Sequence, residues 1–166
     1  LDRARPAAAL CPGAEYGPAK RWPSRYFAEL AQGLAARGCA VWLIGSQKDR
    51  EIAAEIEQLA GGVCRNLCGE TTLAEAIDLM ASASLVVSND SGLMHVAAAL
   101  GKPLIALYGS SSPEFTPPLS PNAQVLKLDL PCSPCFQRVY PLGHFNCMMQ
   151  LTPDRVLAAV DFDRIS

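Results

Sequence analysis

The sequence predicts an α/β fold in which a parallel sheet is covered by helices on both faces. Three observations predict it. Short apolar runs recur along the chain, at residues 7–11, 40–44, 85–87 and 104–108, and unbroken runs of that length are how strands buried on both faces read. The stretches between them place apolar residues at helical spacing. Cap residues and glycines punctuate each change of period, so strand and helix alternate, the order that builds a parallel sheet.

Taken in order, 7–11 is the first strand and 12–23 is a loop rich in Gly and Pro. Ser24 is a good N-cap, and Phe27, Leu30, Ala31 and Leu34 keep helical spacing until Gly38, placed as a helix-ending glycine. Residues 40–44 form the second strand, and 45–49 turn into a helix with Ile52, Ala53, Ile56 and Leu59 on one face, stopped by Gly61 and Gly62. Residues 63–67 give a weaker third strand. Thr72 and Glu75 have the spacing of a capping box, so a helix runs from 73 to about 83.

The run Leu85, Val86, Val87 is a buried strand that stops at Ser88-Asn89-Asp90-Ser91-Gly92, a cluster of cap and turn residues. An apolar helix follows through Leu93, Val96, Ala97, Ala98 and Leu100, with Asp90 where an N-cap is wanted. Pro103 opens the strand 104–108, the loop 109–115 comes next, and prolines 117, 118 and 121 keep the chain irregular until a strand at 124–128. Residues 129–150 show no clean period and read as an ordered loop. Thr152 and Pro153 suit the N-cap and N1 positions of a last helix, packed down by Val156, Leu157 and Val160.

Composition narrows the function. Half of the 166 residues are hydrophobic and 18% are charged, which fits one globular domain with a full core. The net charge of -2 argues against a nucleic-acid partner, which needs a basic face. No run is long and apolar enough to span a bilayer. The first residues carry no signal-peptide core and no initiator Met, which reads as a fragment or an excised domain. Of the seven cysteines, Cys11, Cys39, Cys64 and Cys68 lie in or beside apolar runs and read as small buried hydrophobes. Without a secretory signal the thiols read as reduced and the compartment as cytosolic. Cys132, Cys135, His144 and Cys147 are open to two readings: a Cys₃His metal set, or reduced thiols with no ligand. No Gly-x-Gly-x-x-Gly, P-loop or serine nucleophile elbow is present.

In a parallel sheet the ligand binds beyond the carboxyl ends of the strands. Three loops reach that edge, 12–22, 45–49 and 89–95, with 109–115 as a flank. The helix that starts beside Ser91 and Gly92 offers free amides and a favourable dipole to an anion, and Gly92 lets a ligand come close. Lys20 and Arg21 read either as cations facing that helix start across a diphosphate or as solvated loop charges. Asp90 reads as a cap, as an acceptor for sugar hydroxyls, or as a partner of Lys20. Asp49, or Glu51, could hold a ribose hydroxyl, though a helix cap would look the same. His95 lies one turn into the central helix, as a structural residue or a site residue.

The stretches PGAEYGPAKRWP, CRNLCGETTLAEA, VSNDSGLMHVAAALGKPLIALYGSSSPEFTPPLS and LTPDRVLAAV together resemble the lipopolysaccharide heptosyltransferases, inverting enzymes of the two-domain GT-B class. The resemblance covers nearly the whole chain in family order. It implies that residues 1–166 form a Rossmann-like, C-terminal, nucleotide-sugar-binding domain, and that the acceptor-binding half with its catalytic carboxylate lies outside this chain. It also implies that Lys20 contacts the donor's phosphates, Asp90 the heptose, and Ser91 and Gly92 the diphosphate, with His95 following. Thr71 would lie against the adenine, and Asp49 on the ribose side. The donor would be ADP-heptose and the acceptor a heptose of the LPS inner core. No cofactor is expected, the leaving-group site would be metal-independent, and the full enzyme would touch the cytosolic face of the inner membrane only peripherally. Tyr140 stands where related sequences place a further Cys. The alternatives are a sugar-nucleotide enzyme using another nucleotide, such as a UDP-sugar transferase or an epimerase, and a non-enzymatic nucleotide-binding module.

Overall fold

The computed structural model describes residues 5–139 and 144–166. Tyr140 lies outside them. Six parallel strands, β1 (Ala7–Cys11), β2 (Ala40–Leu43), β3 (Cys64–Asn66), β4 (Leu85–Asn89), β5 (Leu104–Leu107) and β6 (Ala123–Leu126), form one sheet in the order β3-β2-β1-β4-β5-β6. The α/β, Rossmann-like arrangement is therefore present, with the change in strand order falling between β1 and β4. There Ala8 pairs with Leu85 and Cys11 with Ser88.

Successive strand residues point to opposite faces, which divides the core in two. On one face Ala8, Leu10, Val41, Leu43, Val87 and Ile105 pack with residues of α1 (Ser24–Ala36) and α2 (Arg50–Leu59) and with the closing helices α5 (Asn146–Met149), α6 (Pro153–Ala158) and α7 (Phe162–Ile165). On the other face Ala7, Ala9, Cys11, Trp42, Val86 and Ala106 meet Met80 of α3 (Leu73–Ser82) and Met94 and Ala97 of α4 (Gly92–Ala99). Fully buried side chains such as Leu10, Leu30, Leu34 and Ile56 each stabilise the fold by roughly 2 kcal/mol relative to exposure. The capping box is present: Thr72 N–H donates to Glu75 Oε2 at 2.7 Å and Glu75 N–H to Thr72 Oγ1 at 3.3 Å. Gly38 follows α1 with φ 87, a conformation that glycine adopts without strain.

Four local expectations are corrected. Helix α1 includes Ser24, and Pro23 holds the cap position. The Pro23 carbonyl accepts from Tyr26 N–H at 2.9 Å and Phe27 N–H at 3.1 Å, so the serine hydroxyl has no capping role. On α2 the inward position after Ile56 falls four residues on, at buried Ala60, and Leu59 is 49% exposed. Asp90 does not cap α4; Ser91 stands at that position and its side chain makes no cap bond. Residues 129–150 are not loop throughout, because Asn146–Met149 is helical and buries Cys147 and Met148 in the α1-side core.

Candidate functional site

Where the strand order reverses, the loops after β1 and β4 diverge and leave a cleft of about 710 Å³. Lys20, Asp49, Thr71, Asp90, Ser91, Gly92 and His95 all line it, although they come from four separate loops and one helix. The residues that hold these loops explain how they converge. Asn89, fully buried at the end of β4, donates from its side-chain amide to the Pro12 carbonyl at 2.8 Å and accepts Trp22 N–H at 3.1 Å. One side chain thus grips both ends of the loop carrying Lys20. Trp22 is anchored in turn, its indole N–H donating to the Leu151 carbonyl at 2.7 Å.

Lys20 closes a 3-10 turn, Pro18–Lys20, and its ammonium lies 2.6 Å from Asp90 Oδ2 and 4.9 Å from the centre of the Tyr16 ring. Asp90 is 4% exposed. The same Oδ2 accepts the hydroxyls of Ser111 at 2.6 Å and Thr116 at 3.1 Å. A buried carboxylate would be costly alone; here a cation and two hydroxyls compensate it. Tyr108 lies buried behind this wall, its hydroxyl donating to the Thr116 carbonyl at 2.5 Å. Burial first, and then the Asp90 charge, push the Tyr108 phenol well above its ordinary range, so it stays a donor.

The amides at the start of α4 have no partner within the helix. A Cβ placed on Gly92 would meet nothing within 4 Å, so the approach to them is open. His95 is exposed on the first turn. On the opposite wall Asp49 Oδ2 accepts from Ser46 N–H at 2.8 Å and Ser46 Oγ at 2.9 Å, a local cap. Its carboxylate crowds two glycines: a Cβ at Gly13 would lie 2.3 Å from Asp49 Oδ1. The Thr71 hydroxyl is shielded from solvent and has no hydrogen-bond partner among the described residues, a state that calls for a ligand or water. Beneath this wall, burial, then Asp49 and then Glu70 push the Cys68 thiol up to about 12, which keeps it neutral.

A cleft at the strand-order reversal of a Rossmann-like sheet is accompanied by a match at the level of sequence families. The model of glycosyltransferase family 9 (heptosyltransferase) matches residues 1–146. The chain belongs to glycosyltransferase family 9. This family 9 chain is 50% identical over 163 residues to lipopolysaccharide heptosyltransferase 2 of Salmonella typhimurium, covering 95% of this chain and 46% of that protein. The structure of E. coli ADP-heptose LPS heptosyltransferase II superposes with a TM-score of 0.82 at 48% identity, covering 95% of this chain and 46% of that one. E. coli heptosyltransferase WaaC with ADP superposes with a TM-score of 0.75 at 25% identity, over 94% of this chain and 43% of that one. The family 9 chain thus spans about half the length of these relatives.

Two sequence candidates do not join the cleft of this family 9 chain. Neither Arg21 nor Glu51 lines it. The Nε of Arg21 is buried without a partner among the described residues, because the chain turns inward toward Trp22 directly after Lys20. Cys132, Cys135, His144 and Cys147 form no metal-holding group among the described residues. The Cys147 thiol, pushed up to about 11 by burial and then by Cys135 and Cys132, packs in the core with Met148. Ser111, Thr116 and the clamp by Asn89 carry structural weight that the sequence did not reveal. Ser111 lies in the loop named as a flank, but Thr116 sits in a proline-rich run with no period to mark it.

Proposed function

We propose that this chain is the donor-binding half of a heptosyltransferase that moves heptose from ADP-heptose to a heptose of the LPS inner core. The observation that carries the proposal is the junction at the β1–β4 crevice, where Lys20, Asp90 and the open first turn of α4 share one cleft in a family 9 chain. The amides of Ser91 and Gly92 and the Lys20 ammonium receive the diphosphate. Asp90 accepts hydroxyls of the sugar. Asp49 accepts from the ribose, and the unpartnered Thr71 hydroxyl meets the polar edge of the adenine.

Transfer inverts the anomeric centre. An acceptor hydroxyl attacks the anomeric carbon, the bond to the β-phosphate oxygen breaks, and ADP departs with the electron pair. Lys20 and the helix amides stabilise the charge that develops on the leaving diphosphate. A carboxylate base that takes the acceptor's proton belongs to the acceptor-binding half of the longer enzyme, which works at the cytosolic face of the inner membrane. Calorimetric titration of the chain with ADP and with UDP tests the proposal. ADP is expected to bind more tightly, and tighter binding of UDP would overturn the reading.

A further inference from the structure

We propose that Ser111 and Thr116 are positioning residues for the donor sugar, acting through Asp90; this rests on the donor-binding reading above. Asp90 divides its two oxygens between the protein and the cleft. Oδ2 takes Lys20 Nζ at 2.6 Å, Ser111 Oγ at 2.6 Å and Thr116 Oγ1 at 3.1 Å. Oδ1 takes no hydrogen bond from the described residues, and Asp90 lines the cleft. A carboxylate's last torsion is soft and nearly two-fold, so a lysine alone could be served by either oxygen. Two hydroxyls converging on the same oxygen remove that freedom. They hold Oδ2 against the protein and leave Oδ1 as the acceptor presented to the ligand.

The backbone that carries both hydroxyls is itself fixed. The loop carrying Ser111 is pinned by Ser133 Oγ donating to the Gly109 carbonyl at 2.6 Å and Phe136 N–H donating to the Ser110 carbonyl at 2.6 Å. The Thr116 carbonyl accepts the Tyr108 hydroxyl from beneath, and the Thr116 hydroxyl, 3.1 Å from Asp90 Oδ2, has the Ser112 carbonyl as a second acceptor at 3.3 Å. The acceptor oxygen stands beside the lysine assigned to the diphosphate, which is where the first hydroxyls of a sugar on the β-phosphate would come. Ser111 and Thr116 therefore govern how well the site distinguishes a nucleotide sugar from the bare nucleotide.

The experiment compares the dissociation constants of ADP and ADP-heptose for the wild-type chain, Ser111→Ala, Thr116→Val and Thr116→Ser, with thermal melting to establish that each is folded. Loss of a hydrogen bond to a charged group predicts ADP-heptose binding weakened by about tenfold in Ser111→Ala and Thr116→Val. ADP binding should fall far less, and Thr116→Ser, which keeps the hydroxyl, should restore the preference. Equal losses for both ligands, or no loss, would overturn the positioning role while the donor-site reading stands. If the wild-type chain binds neither ligand, the donor-site reading falls and takes this inference with it.

Discussion

Asp90 and Asp49 are both carboxylates on the wall of one cleft, both stand in loops that follow a strand, and both accept their hydrogen bonds through Oδ2. They are held in different ways. Asp49 is partly exposed and is held by Ser46, three residues away. Asp90 is buried and is held by Lys20, Ser111 and Thr116, from loops on either side of it in sequence. One wall is built from local structure and the other from tertiary contacts, so the two walls differ in how much of the fold must be in place before they exist.

Breaking the ion pair from either end should give the largest effect. Asp90→Ala strands the partly buried Lys20 ammonium and should cost about 3 kcal/mol of folding stability, read by denaturant unfolding. Lys20→Ala should weaken ADP by ~1–3 kcal/mol, read by calorimetry; an unchanged dissociation constant would remove Lys20 from the site. Asp49→Ala should cost less, about 1 kcal/mol, the scale of a lost helix cap, and a loss as large as that of Asp90→Ala would erase the distinction between the walls.

The smallest effect concerns Glu75, the capping-box partner of Thr72, which lines the cleft. Hydrogen bonds from the Thr72 backbone and side chain lower its pKa. The folded state therefore prefers the carboxylate, and the stability this gives is present above the unfolded pKa and is lost as pH falls through the lower, folded value. A slight destabilisation on acidification should appear in thermal midpoints and be reduced in Glu75→Gln. If the glutamine variant follows the wild-type pH curve, the capping box plays no part in it.

The same contrast explains what could be read before the structure. The alternating sheet and the capping box at Thr72 follow from patterns a few residues long, and the crevice at the reversal of strand order from one topological rule, whereas the pairing of Lys20 with Asp90, 70 residues apart, is only one of three readings the sequence leaves open for that aspartate. Asn89 could be read only as a turn residue, because both its partners, Pro12 and Trp22, are distant in sequence. Thr116 gave no signal at all, since its role depends on the loop after β5 folding back to Asp90, 26 residues upstream. Arg21 misled for the opposite reason: adjacency to Lys20 suggested a shared direction, whereas the turn sends the two side chains to different surroundings.

Trp22, two residues past Lys20, donates to a carbonyl 129 positions downstream. During synthesis the Trp22 indole therefore cannot find its acceptor until Leu151 has emerged from the ribosome. All six strands precede Leu151 in the chain, so a nascent chain halted before that residue could carry the paired sheet while the loop that bears Lys20 still lacked its indole anchor.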